Sequence, residues 1–148
     1  LAKGAIIGFS DVHTRNHMYR AIIEGINYAL MEGLENMEKR GHQKIKEIYL
    51  GGGGSQSDEI CQIAADMFNL PTKRIQTHEA CGLGAAMVAF TAIQEFKTID
   101  EAVEAMSHDK DVFYPNPEKH KVYERYYEIY KKMYGQLDPL YKKMKRGA

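Results

Sequence analysis

The chain has 148 residues, 44% of them apolar, and its 20 basic and 20 acidic side chains cancel to no net charge. That length suits one domain with one core, and the charge balance argues against electrostatic capture of nucleic acid or membrane. Apolar stretches stop well short of a bilayer span, nothing resembles a signal peptide, and the two cysteines form neither a metal pair nor a disulfide framework, which points to a cytoplasmic protein.

Residues 1–9 are strand-like and open without an initiating methionine, so the chain reads as a fragment whose strand partners lie upstream. A long helical pattern runs from His13 to about Lys39. Met18, Ala21, Ile22, Gly25, Ile26, Ala29 and Gly33 fall on one side and Tyr19, Ile23 and Leu30 on another, which predicts a central helix covered on more than one face. His13 and His17 have the spacing of a metal pair, but Thr14 stands where a zincin helix needs glutamate, so they read as ordinary histidines at a helix start. Arg20 and Glu24 read as an intrahelical ion pair.

Ile45, Ile48 and Leu50 among polar residues predict a strand that ends at four successive glycines, Gly51 to Gly54. A helix follows, with Ile60, Ile63, Ala64, Met67 and Phe68 as its apolar stripe. Ser55, Ser57 and Asp58 are residue types that cap helix starts. The first turn of a helix leaves backbone N–H groups unpaired and carries partial positive charge, while glycine lets a ligand approach the backbone, so this is a place to hold phosphate. Glycine also serves merely to make a corner, yet four exceed that need, because each costs roughly 0.5–1 kcal/mol of backbone entropy. The run is not a P-loop, which needs a lysine after its last glycine. Ser57 stands where a dinucleotide fingerprint or a nucleophile elbow needs glycine.

Asn69 to Pro71 ends that helix, and Thr72 to Gln76 is a second short strand. At the next strand-to-helix junction Leu83, Ala86, Met87 and Phe90 form the apolar stripe. Gly82, Gly84, Ala85, Ala86 and Ala89 leave the remaining surface almost bare, fit for a closely packed helix or, equally, for a ligand wall or domain hinge. Glu79 precedes this helix as a cap favoured by the dipole. Cys61 and Cys81 lie on apolar helical faces and read as small reduced core residues.

The remaining third reads as helical. Thr98 and Glu101 form a capping box ahead of Ala102, Val103 and Met106, and Asn116, Pro117 and Glu118 open a long helix. Tyr123, Tyr127, Tyr130 and Tyr134 recur at helical spacing. They read as packing against the lobe, since a stacking platform for single-stranded nucleic acid needs a basic groove. Asp138 and Pro139 are expected to break or restart this helix, leaving Lys142, Lys143, Lys145 and Arg146 as a solvated basic end.

Taken in order, Gly4 to Gly8, His13 to His17, Tyr19 to Ala21 with Glu24 and Gly25, Gly52 to Ser57, Gln62 to Asp66, and Glu79 with Gly84 to Ala86 resemble the C-terminal part of the FGGY carbohydrate kinases. That family includes glycerol kinase, xylulokinase and ribulokinase. The departures are Ser55, where many members have alanine, and the extra glycine at Gly51. The resemblance implies an α/β fold that is part of an actin-like, ribonuclease H-like ATPase lobe, with a short β-sheet packed with several helices and a long C-terminal helix. Residues 1–148 would then be a single partial domain, the nucleotide-side lobe of a two-lobe sugar kinase, without the N-terminal lobe.

The same resemblance implies ATP and Mg²⁺ as cofactors of the intact enzyme and a sugar or polyol substrate held through the missing lobe. It assigns Gly52, Gly53 and Gly54 to backbone contact with the phosphates, and Ser55, Ser57 and Asp58 to the helix start near adenosine. Glu79, Gly82, Gly84 and Ala85 would support the pocket and hinge. The family's catalytic aspartate and most sugar contacts would lie upstream, so no catalytic residue and no metal ligand is assigned here, Asp66 reads as structural, and the chain alone is expected to be inactive. Two other classes stay open: a stand-alone phosphosugar- or nucleotide-binding regulatory module, and a structural or oligomerising piece. Homo-oligomerisation is also open, because exposed surface would be the cut face left by the missing lobe.

Overall fold

The computed structural model describes residues 3–146. Residues 3–9 form no strand, contrary to their pattern; a strand needs a neighbour for its N–H and C=O groups, and none lies beside them among the described residues. Leu1 and Ala2 lie outside the described residues. The first helix, α1 (Arg15–Gly41), starts after Thr14 with His17 bonding back to that cap. His17 Nδ1 accepts the Thr14 N–H at 3.1 Å, and His13 Nδ1 accepts the Ser10 N–H at 2.9 Å in the turn before the helix, so both Nδ1 atoms are occupied locally.

Strand β1 (Ile48–Leu50) runs into a 3-10 turn (Gly53–Gln56) and then α2 (Asp58–Phe68), so the helix does not follow the glycines directly. Ser57 is the N-cap of α2, its hydroxyl accepting the Ile60 N–H at 3.3 Å, and Asn69 ends the helix in the left-handed region at φ 54°. The chain continues as β2 (Thr72–Ile75), α3 (Ala80–Ala92), α4 (Ile99–Met106), β3 (Asp109–Phe113) and α5 (Pro117–Arg146). The sheet has the order β1-β2-β3: β2 is parallel to β1, with Leu50 beside Arg74, and antiparallel to β3, with Arg74 beside Asp111. β3 lies in the third that reads as wholly helical from its sequence.

The most buried helix is α2. Cys61, Ala65 and Met67 are fully buried, and Met67 and Ile63 pack with Tyr28 of α1 and Tyr123 and Tyr127 of α5. Each such large apolar side chain contributes about 1.5–3 kcal/mol on burial. Tyr28 and Tyr127 stack with ring centroids 5.8 Å apart, and Tyr123 joins the α1 ion pair: Arg20 donates to its hydroxyl at 2.8 Å, and that hydroxyl donates to Glu24 at 3.0 Å. Tyr123 and Tyr127 thus pack as their spacing predicts, while Tyr134 is exposed.

Several expectations are corrected. The first helix is not covered on more than one face among the described residues: Asn27 and Tyr28 are buried, whereas Tyr19, Ile22, Ile26 and Leu30 are exposed. Cys61 is buried but Cys81 is exposed, because α3 turns that side away from the core. The Thr98 hydroxyl does accept the Glu101 N–H, at 3.2 Å, but Glu101 bonds back to the Lys97 N–H, one residue before the cap. α5 continues through Pro139 to Arg146, with Tyr141 buried beyond the proline. Lys142, Lys143 and Lys145 are exposed, as expected of a solvated end, and Lys142 pairs with Asp138 at 2.6 Å.

Candidate functional site

The four glycines have different reasons to be glycine. A Cβ on Gly51 would lie 2.9 Å from the Ala80 Cβ at the start of α3, so the end of β1 meets the α3 junction closely. Gly52 has φ +81°, a conformation that side-chain-bearing residues rarely adopt. Gly53 and Gly54 have neither reason: nothing lies within 4 Å of a Cβ on either, and both are exposed.

The turn is anchored through its carbonyls. Gly52 C=O accepts from the Ser55 N–H at 3.2 Å and from the Ser55 hydroxyl at 2.7 Å, and Gly54 C=O accepts from the Ser57 N–H at 3.3 Å. In a trans peptide the C=O of one residue and the N–H of the next point opposite ways. The Gly52 carbonyl is drawn toward Ser55, so the Gly53 N–H faces away from it. Among the described residues no backbone carbonyl outside the turn accepts the Gly53 or Gly54 N–H. The Gly52 N–H, by contrast, donates to His78 C=O at 2.9 Å. This corrects the expectation for that amide: Gly52 shapes the turn and joins it to the α3 junction.

Ser55 is corrected similarly. It is 2% exposed, its hydroxyl is spent on Gly52, and its carbonyl accepts from Arg74 at 2.9 Å and from the Cys61 thiol at 3.4 Å, so its side chain closes the turn and presents nothing to a ligand. Asp58, the first residue of α2, is exposed and lies 2.9 Å from the Arg74 guanidinium. Burial pushes the Cys61 thiol up, which keeps it protonated and inert.

Beside the turn lies a cleft of about 220 Å³ whose lining includes Ser55, Gln56, Asp58, Arg74, His78 and Lys110. The sequence pattern did not single out Arg74, although it stands in the second predicted strand. On this side of the sheet it is the most highly connected charge: it donates to Asp111, to Ser55 C=O and to Gln56 C=O, lies over the Phe113 ring, and has its pKa raised first by the Asp111 carboxylate.

Glu79 stands at the N-cap position of α3, but its carboxylate makes no capping bond there; its N–H donates to the Thr77 hydroxyl at 3.1 Å and its carboxylate reaches His78 at 3.2 Å. The expected cap is therefore absent, because the carboxylate is turned to His78 instead of the first turn of α3. Of the two readings for the small residues of α3, close packing by another helix is met in part, since α4 packs closely against α3, but the bare positions at the start of α3 stay open. A Cβ on Gly84 would meet nothing within 4 Å, one on Gly82 only Glu79 at 4.0 Å, and Ala85 is exposed.

Asp66 is 2% exposed, and its Oδ1 accepts from Gln62 and from the Asn116 N–H, both at 2.8 Å. It is structural, tying α2 to the start of α5. Among the described residues no three His, Cys, Asp or Glu side chains gather where they could hold a metal ion, and no helix is long and apolar enough to cross a membrane.

Residues 1–93 match the model of the FGGY family of carbohydrate kinases, C-terminal domain. The chain is 40% identical over 138 residues to a xylulose kinase of Staphylococcus epidermidis, covering 93% of this chain and 28% of that protein. It is 37% identical over 105 residues to an L-fuculokinase of Escherichia coli K12, covering 71% of this chain and 22% of that one. The crystal structure of ligand-bound xylulose kinase from Lactobacillus acidophilus superposes with a TM-score of 0.83 at 27% identity, over 97% of this chain and 29% of that one. The chain thus spans less than a third of the length of these relatives, and its fold is that of their actin-like ATPase lobe. With its glycine turn, its small mixed sheet and its long last helix, the chain belongs to the FGGY family of carbohydrate kinases and carries that family's C-terminal domain.

Proposed function

We propose that this chain is the nucleotide-side lobe of an ATP-dependent kinase that phosphorylates a hydroxyl of a sugar or polyol. The observation that carries the reading is the pair Gly53 and Gly54: bare backbone over open space at the end of a strand, one turn before the N-terminus of α2. There the phosphates of ATP accept from the two N–H groups and lie in the favourable field of the helix start. Ser57 holds that helix end in shape, Asp58 stands on the adenosine side, and the bare surface of Gly82, Gly84 and Ala85 supports the pocket and hinge.

Phosphoryl transfer is mainly a matter of positioning and of stabilising charge on the transferred group, and this lobe supplies the nucleotide half of both. Magnesium would arrive with the triphosphate, because the described residues form no cage of their own. No residue here is assigned as the base; that group and the sugar contacts belong to the rest of the kinase. The apolar side chains exposed on α1, Tyr19, Ile22 and Ile26 among them, are the face that remainder covers. Relatives named for different sugars stand at 40% and 37% identity, so identity alone does not choose the substrate. The two free cysteines, together with a need for ATP, support a cytoplasmic enzyme.

In the complete kinase, Gly53→Val should raise KM for ATP about tenfold or more while KM for the sugar moves less than about twofold. Equal changes in both constants, or none, would remove the assignment. Binding of a sugar phosphate without any preference for ATP would favour the regulatory-module alternative.

A further inference from the structure

The Arg74 guanidinium has no donor left for a ligand, although it faces the cleft. Its Nη1 donates to Ser55 C=O at 2.9 Å and to Gln56 C=O at 3.4 Å. Nε donates to Asp111 at 2.8 Å, and Nη2 reaches both Asp111 and, at 2.9 Å, Asp58. The strand register explains how one side chain reaches all of these. Arg74 lies beside Leu50, the last residue before the glycines, and beside Asp111 on the other neighbouring strand. It therefore stands at the level where the turn leaves the sheet, with 13% of its side chain exposed.

From this arrangement we infer that Arg74, held in place by Asp111, is a positioning residue for the nucleotide: it fixes the glycine turn in the shape that presents the Gly53 and Gly54 amides. The inference rests on the nucleotide reading above. The guanidinium anchors the far end of the 3-10 turn through two successive carbonyls, while Ser55 anchors the near end through Gly52. With both ends tied, the two intervening glycines, which have no side chains to restrain them, cannot relax toward the protein. The planar fork supplies this where lysine cannot, because a single ammonium cannot span the carboxylates and the carbonyls together.

The test uses the complete kinase with ATP and sugar varied separately, together with ADP binding by calorimetry. Arg74→Lys and Asp111→Asn should each weaken ADP binding and raise KM for ATP by about fivefold or more, with KM for the sugar within about twofold. The control is Lys73→Ala. Lys73 carries ion pairs of its own, to Glu47 at 3.0 Å and Asp109 at 2.9 Å, on the opposite face of the same strand, so its loss should leave KM for ATP unchanged. If Gly53→Val raises KM for ATP but Arg74→Lys and Asp111→Asn do not, the clamp is refuted and the nucleotide site stands. If none of the three changes it, both fall. Should Arg74→Lys fail to fold, Asp111→Asn decides alone, and amide exchange over Gly53–Ser57 no faster than in the parent would also overturn the inference.

Discussion

At the scale of single residues, the glycine turn makes separable demands. Gly51 is required by a neighbour, so Gly51→Ala should cost about 1–3 kcal/mol of overpacking in denaturant unfolding, and Ala80→Gly, which removes the clashing Cβ, should restore much of it. Full stability in Gly51→Ala would mean the junction is looser than its 2.9 Å approach implies. The buried phenols make another demand. Burial pushes Tyr127 up to about 12 and raises Tyr28 and Tyr123 in the same direction. A phenol whose folded value lies above its unfolded value of roughly 10 stabilises the fold fully below that pH, and the contribution is lost as pH rises through the folded value. Alkaline titration should therefore show tyrosinate absorbance and loss of helical circular dichroism rising together above about pH 10. Helix retained while all the tyrosines ionise would contradict the packing.

Between elements, a buried polar joint is Asp66, which holds Gln62 of its own helix and the Asn116 N–H at the entrance to α5. Asp66→Ala leaves the Asn116 N–H without its partner, while Gln62 keeps the Tyr114 C=O, and should cost about 1–3 kcal/mol, read as a lower denaturant midpoint; a change below about 0.5 kcal/mol would show that water replaces the carboxylate easily. The elements differ in how far their sequences disclose them. The α2 stripe, the Asn116 cap with proline after it, and the strand before the glycines are local patterns and could be read directly. β3 could not: Asp109, Lys110 and Asp111 carry no apolar alternation, and the strand exists by pairing with β2. Arg74 was invisible for the same reason, since its partners come from the glycine turn, α2 and β3. Pro139 misled because the penalty of a proline within a helix is local, whereas buried Tyr141 holds the following turns to the rest of the chain.

For the molecule as a whole, the site is half legible in the sequence. The glycine run marks the turn, but only the structure separates Gly51 and Gly52, which serve the fold, from Gly53 and Gly54, which face open space. The exposed stripe on α1 belongs to the same scale. Ile22 and Ile26 are 51% and 58% exposed. Ile22→Glu and Ile26→Glu should therefore change the stability of this chain alone by less than about 0.5 kcal/mol, yet destabilise the complete kinase by about 2 kcal/mol or more, through burial of a charge. Equal effects in the two settings would mean that the rest of the kinase does not cover α1. The most direct measurement of the central claim is a crystal structure of the complete kinase with ADP and magnesium. Phosphate oxygens are expected about 3 Å from the Gly53 and Gly54 nitrogens; a nucleotide whose phosphates lie away from this turn, with those two amides facing protein or solvent, would contradict the assignment.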